Sequence, residues 1–387
     1  MRQFVHFLSI GLLALTTHLG SAAASGCQTI NSIQYCNAAD AITYDNIQGS
    51  GTYQDVASMD PSTCACNKAP KAYSGVLSPL DEQLSLHFRG PISLKQFGVY
   101  YPSGSAQAKR YVKRTSHFMR HHQHHRRGGV NTEKLEPPTK HRKAASNSLQ
   151  RTAYYDSSSQ TAQGLVFMNH MGGQGSGVFD HCWGNSISYM NSQNTGGCAK
   201  PEVLADITLP SNTEFIVFSD EKCNGFDDCG YYRPNVPAYR GFDGKNKVFV
   251  FEFQMPADGA GGFNGNMPAI WALNAKIPRT NQYGDCSCWG SGCGELDMFE
   301  VLQDATDFVT THYHAAQGGI GGKYGGGGST DYFKRPFDKC VKAAAIFDDA
   351  GSVTIKILPD NIEFSPSLDL STLTAGDNNA SVFHVPS

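Results

Sequence analysis

The sequence predicts an all-β protein, a sandwich preceded by a small disulfide-bonded β module. Three observations carry this. Short β-branched and aromatic runs recur along the chain between clusters of Gly, Pro, Asn and Asp. No stretch of comparable length shows the 3.6-residue apolar period of an amphipathic helix. The 12 cysteines fall in two even groups, four in the first hundred residues and eight after residue 180.

Taken in order, residues 1–24 read as a secretory signal. Arg2 precedes an apolar run from Phe4 to Leu15, and Ser21-Ala22-Ala23-Ala24 offers a small-residue cleavage site, so the mature chain is expected to begin near Ser25. Secretion implies an oxidising compartment, where crowded cysteines such as Cys286, Cys288 and Cys293 form disulfides. A zinc site would favour C-x2-C pairs, which are not evident, and no metal or other cofactor is expected. Residues 25–102 read as the small module, with β-type segments at Ala41-Ile42-Thr43-Tyr44 and Gln96-Phe97-Gly98-Val99-Tyr100-Tyr101.

Residues 103–150 lack aliphatic periodicity, and residues 105 to 151 hold 12 of the 31 Lys and Arg against two acids. Such a stretch cannot repay the entropy of ordering, which predicts a disordered, basic, His-rich linker. Its His121-His122-Gln123-His124-His125 tract has metal-ligand chemistry but reads as part of a polar tether. Its basic pairs, Lys109-Arg110, Lys113-Arg114 and Arg126-Arg127, are expected protease sites on an exposed chain.

Residues 151–387 return to β-type runs: Gly164–Met168, Phe215–Phe218, Val248–Phe253, Phe308–Thr311 and Val353–Leu358. The glycine-rich run Gly318–Gly328 precedes no helix and carries no Gly-Lys-Ser/Thr, so it reads as a flexible loop rather than a phosphate cradle. Past the leader, no run reaches the roughly 18–20 apolar residues of a membrane span, and the last residues lack a lipid-anchor tail. Outside the basic stretch the chain is acidic, which disfavours nucleic acid as partner. The oligomeric state is left open.

The chemistry concentrates in Glu295-Leu296-Asp297-Met298-Phe299-Glu300. In a regular strand Glu295 and Asp297 share a face and Glu300 falls on the other. A bulge after Asp297 returns Glu300 to the first face. Three acids so placed repel one another, and burial raises at least one pKa, the condition of a general acid. About 25 residues upstream stands Met267-Pro268-Ala269-Ile270-Trp271-Ala272-Leu273, and downstream Thr311-His312-Tyr313-His314, with Lys247–Pro256 before both.

Together these segments resemble the core of glycoside hydrolase family 16, secreted enzymes acting on β-glucans with a concanavalin-like β-jelly roll. The bulged E-x-D-x-x-E spacing is that of its β-1,3-glucanases. The resemblance implies Glu295 as nucleophile, Asp297 as helper and Glu300 as acid/base. It places Trp271 on the cleft wall and His312, of the pair His312 and His314, beside the acids; Trp289 is a further candidate for substrate contact, and Trp183 reads as structural. Leu84–Pro91, Gly172–Asp180 and Cys229–Pro234 further resemble a fungal cell-wall protein family that couples a small N-terminal module to such a domain.

The function so implied is a secreted, wall-located endo-1,3-β-glucosidase acting on β-1,3-glucan with retention. A β-glucan transglycosylase and a non-catalytic glucan-binding wall protein stand as alternatives. The N-terminal module is expected to bind glucan. The chain also ends soon after Phe364-Ser365-Pro366, which leaves a late strand of the resembling sandwich unaccounted for.

Overall fold

The computed structural model describes residues 26–111, 147–173, 175–304, 306–320, 323–376 and 379–387. The chain is all-β, as expected, and is built on two large antiparallel sheets with one parallel pair. In the first sheet the strand order is Gly197–Cys198, Ser188–Met190, Leu165–Asn169, Glu214–Ser219, Leu84–Arg89, Ala269–Asn274, Glu295–Glu300, Phe308–Ala315 and Gly325–Gly328. In the second it is Ser367–Asp369, Ser148–Asp156, Ser93–Pro102, Lys247–Gln254, Val341–Asp348, Ser352–Leu358, Ala41–Asp45 and Ala380–His384. Among the described residues no helix is long and apolar enough to cross a membrane.

Period-2 alternation explains how the sheets face each other. Leu84, Leu86 and Phe88 turn inward from one sheet, and Phe97, Val99, Phe249, Phe251 and Phe253 from the other, into one continuous core. Phe88 joins the two layers: its ring stacks on Phe215 at 4.7 Å and meets Phe97 and Phe251 edge-on at 6.2 Å. The run Val248–Phe251 is apolar throughout because the outer face of its sheet is also covered there. Val248 and Val250 pack with Tyr100, Leu149, Phe364 and Leu373 in a second cluster.

The expectation of a separate N-terminal β module is corrected by this topology. Leu84–Arg89 lies between Glu214–Ser219 and Ala269–Asn274 in one sheet, and Ser93–Pro102 lies between Ser148–Asp156 and Lys247–Gln254 in the other. Both are interior strands, and they supply the sandwich with strands that seemed missing near Phe364. The link crosses from sheet to sheet at Gly90, where an added Cβ would strike the carbonyls of Leu209 and Pro210.

The cysteines do not divide between two units either. Cys27–Cys36, Cys223–Cys229 and Cys288–Cys293 close short loops, but Cys64–Cys182 and Cys66–Cys286 join the early chain to the later one. Cys198 and Cys340 are unpaired. The two long bridges anchor a hairpin of strands Gln48–Asp60 and Ala65–Val76, which pairs only with itself. Its Tyr53 and Tyr73 pack on Trp271, Cys288 and Cys293.

The linker boundaries also shift. Ser103 donates a backbone hydrogen bond to Ser148 at 2.8 Å, Ala108 is buried, and Arg110 pairs with Asp243 at 2.6 Å. Ser148–Gln150 already belongs to a strand. Of the expected protease sites, Lys109-Arg110 is therefore helical and docked; Lys113-Arg114, Arg126-Arg127 and the histidine tract lie outside the described residues.

A chain beginning at residue 147 loses the two strands on either side of Gly90. It is expected not to fold cooperatively, as read by urea unfolding followed by near-UV circular dichroism. In the full chain Phe88→Ala should cost about 3–5 kcal/mol in the same assay. Cooperative unfolding of the truncated chain would contradict the interleaved architecture.

Candidate active site

The outward face of the first sheet carries a grid of functional side chains set by strand register. One row runs His87, Trp271, Asp297, His312, Gly328 across neighbouring strands. The row on one side runs Ser85, Leu273, Glu295, His314, Gly326; the row on the other runs Arg89, Ala269, Glu300, Thr310. The bulge expected after Asp297 is present. Trp271 opposes Asp297 and Ile270 opposes Phe299, so Met298 is the extra residue, buried in the core beside Phe299. That insertion turns Glu300 back to the face of the other two acids.

Each acid has a different neighbour. Glu295, 7 % exposed, accepts a hydrogen bond from the Trp289 indole N–H, Nε1 to Oε2, at 2.6 Å. Asp297 lies 3.4 Å from the Nε2 of His314. Glu300 takes the Arg89 guanidinium at 3.2 Å, and Arg89 is itself fixed by donating from Nε to the Met267 carbonyl at 2.8 Å.

Burial, followed by the charge of Asp297, pushes the Glu295 carboxyl up to about 8, against the pull of His314 and Trp289. Burial and the Glu300 charge hold Asp297 well above the usual carboxylate range, opposed by Arg89. Burial also pushes His312 down, opposed by Glu300 and reinforced by His314.

The aromatic residues divide into floor and surface. Trp271 is only 4 % exposed: its ring lies tilted against His87 at 5.1 Å, sits under Arg89, and donates its indole N–H to the Tyr283 hydroxyl at 2.8 Å. It supports the cleft from below rather than forming an open wall. The accessible aromatic surface is Trp289 flanked by Tyr283 at 5.2 Å and Tyr324 at 5.4 Å, and both tyrosines are exposed. Trp183 packs beside Tyr231 and Cys286 near the hairpin tip, away from the acids.

Tyr283, Tyr324 and Arg89 escaped the sequence reading. An aromatic residue inside a glycine-rich segment was the available signal for Tyr324. Part of that segment is also reassigned: Gly325–Gly328 is an edge strand paired to Phe308–Ala315, not a loop. Its lack of side chains is what the site requires, since a Cβ at Gly328 would collide with the His312 ring.

His87 is fully buried and bonds through Nδ1 to Glu214 at 2.7 Å and through Nε2 to the Ser85 hydroxyl at 3.0 Å. Gln282 donates to the same Glu214 oxygen at 3.0 Å. The network braces Trp271 and keeps Glu214 ionised, its carboxyl held below the usual range chiefly by His87 against the effect of burial. Among the described residues, donor atoms of Asp297, Glu300 and His312 lie within 4.8 Å of one another, close enough to share a cation.

Comparison with known proteins gives the family. Residues 147–375 match the family described as Cell wall protein YJL171C/Tos1, C-terminal, and residues 40–102 match its N-terminal counterpart. A Candida albicans protein named probable circularly permuted 1,3-beta-glucanase TOS1 is 38 % identical over 95 % of this chain and 97 % of its own. A Saccharomyces cerevisiae protein of the same name is 39 % identical over 92 % and 94 %. A Schizosaccharomyces pombe protein, also named a probable circularly permuted 1,3-beta-glucanase, is 32 % identical over 92 % and 93 %. No solved structure matches. With both family descriptions matched in order and relatives aligned along nearly its whole length, the chain belongs to the Tos1/YJL171C family of fungal cell wall proteins.

Proposed function

We propose that this protein is a retaining endo-1,3-β-glucanase of the cell wall, with Glu295 as nucleophile and Glu300 as acid/base. The observation that carries the reading is the bulge at Met298, which gathers three carboxyl groups on one partly covered face with a different partner for each. The names of the relatives support the substrate, and their description as circularly permuted agrees with interior strands drawn from residues 84–102.

Glycosidic cleavage needs one carboxyl group to protonate the leaving oxygen and another to meet charge at the anomeric carbon. Burial and the Glu300 charge act together to favour a proton on Asp297. Once Asp297 is neutral, Glu295 loses the charge that raises its own proton affinity. Burial, the larger cause, still raises Glu295, so the attacking anion forms against that cost, with the short bond from Trp289 and the nearby His314 favouring it.

Glu295 attacks the anomeric carbon while Glu300 gives its proton to the departing sugar oxygen. In the second step Glu300 takes a proton from water, the water oxygen bonds to the anomeric carbon, and Glu295 leaves. Tyr283, Trp289 and Tyr324 supply flat surface for the C–H faces of the glucose rings.

Glu295→Gln and Glu300→Gln should each lower laminarin hydrolysis by at least about 10²-fold, the smaller end of general acid–base contributions, with unchanged circular dichroism. Azide should restore Glu295→Ala as an α-glycosyl azide and Glu300→Ala as a β-glycosyl azide. The reverse pattern would exchange the two roles, and near-wild-type rates in both Gln variants would exclude the mechanism. Replacing Tyr283 or Tyr324 by Ala should raise KM for laminarin by about 2–10-fold, the loss of one stacking contact, with little change in kcat.

The raised Glu295 pKa also has a stability consequence. The folded state retains a proton between the ordinary value of 4.5 and about 8 that the unfolded chain releases, so stability is full below pH 4.5 and falls as pH rises toward 8. At 1.36 kcal/mol per unit, the fall is on the order of several kcal/mol. Lys247, buried and pushed down to about 7, acts with the opposite sign at higher pH. The difference in urea-unfolding free energy between wild type and Glu295→Gln cancels that contribution. It should fall steadily from pH 5 to pH 8; a flat difference would show that Glu295 is ionised throughout.

A further inference from the structure

We propose that Asp297, Glu300 and His312 form a binding site for a divalent transition-metal ion of the zinc class, and that this ion and glucan exclude each other from the cleft. The exclusion rests on the glucanase reading; the metal site does not.

Geometry carries the site. The donor atoms of the three side chains lie within 4.8 Å of one another. Zinc bonds to N and O of about 2.0–2.2 Å put its ligands up to about 4 Å apart, so closure needs side-chain movements of less than about 1 Å. The three residues stand on adjacent strands in fixed register, Asp297 directly opposite His312, and the Met298 bulge brings Glu300 alongside. His314, 3.4 Å from Asp297 through Nε2, stands beside them as a further nitrogen donor.

The donor set selects the ion. Carboxylate and imidazole together favour zinc-class cations, whereas calcium and magnesium demand six or more oxygen ligands in a more open cage. The approach is open because Glu300 and His312 are each partly exposed and Gly328 places no side chain over the imidazole. Arg89, bonded to Glu300 from the other side, opposes the ion and limits affinity.

Because Asp297 and Glu300 belong to the reacting group, an ion held there occupies the position of the scissile sugar. Zinc should therefore raise the apparent KM for laminarin without changing kcat, and EDTA should reverse it.

The test is calorimetric titration of ZnCl2 into the full chain at pH 7, with His121, His122, His124 and His125 replaced by Asn to remove the competing tract. One binding event is expected, together with a zinc-dependent rise in Tm. His312→Asn should weaken binding at least about tenfold and abolish the Tm rise, as loss of a ligand requires. Glu300→Gln, at a partly exposed position, should weaken it likewise, while Glu295→Gln should retain it. No zinc binding in the tract-free protein, or binding indifferent to His312→Asn and Glu300→Gln, would overturn the site. Zinc binding as expected in a protein without glucanase activity would overturn the proposed function and leave the site standing.

Discussion

The site is governed by the cost of holding three carboxyl groups on one sheet face from which water is largely removed. An unpaired buried charge is costly enough that carboxyl groups either find partners or take up protons. Both responses are visible. Glu295 has the Trp289 N–H, Glu300 has Arg89, and Asp297, with His314 near but at a longer distance, is pushed toward the protonated form by burial and the Glu300 charge. Three chemically similar groups thereby stand in three different surroundings, the condition under which neighbouring carboxyl groups can take different chemical roles.

The surrounding fold exists to keep those partners in place. Trp289 lies in a short turn closed by Cys288–Cys293, and the hairpin Gln48–Asp60/Ala65–Val76 braces that turn: the Gln54 backbone N–H donates to the Ser291 hydroxyl at 2.8 Å. The hairpin is held in turn by Cys64–Cys182 and Cys66–Cys286. Lys276 ties its side to the body through Asp55 at 2.9 Å and Glu82 at 3.2 Å. Arg89 and His87, by contrast, need no such tether, because they stand on an interior strand whose opposite face is locked into the core by Phe88.

Much of the carboxylate strand was legible because its message is local. The period alone puts Glu300 on the face opposite Glu295 and Asp297; a single bulge restores it, and the resemblance of the spacing to bulged relatives pointed to that bulge. The existence of β-type runs was legible for the same reason. Partnership was not. The alternation of Leu84, Leu86 and Phe88 says that one face is buried but not against which sheet, and Cys64 carries no mark that selects Cys182 among 12 cysteines. Low complexity misled at Gly325–Gly328, where absence of side chains is room for His312 rather than freedom of the backbone. Tyr283 and Tyr324 were obscured because their role depends on long-range placement beside Trp289.

The path of the chain through the sheets interleaves early strands with late ones. Ala380–His384 pairs in parallel with Ala41–Asp45, so the late segment lies beside an early one along the second sheet. Its Ser381 reaches Ser329 at 3.3 Å, next to the glycine edge of the active sheet. What a sheet presents on its face depends on register between neighbouring strands and on the alternation within each, and neither depends on which strand is made first. The early place of Leu84–Arg89 and Ser93–Pro102 in the chain is therefore compatible with His87 opposite Trp271 and Trp271 opposite Asp297. The burden passes to the connections. Gly90 must carry the chain between sheets against the carbonyls of Leu209 and Pro210, and the two long disulfides must hold an early hairpin onto later chain, 118 residues on for Cys64–Cys182 and 220 for Cys66–Cys286.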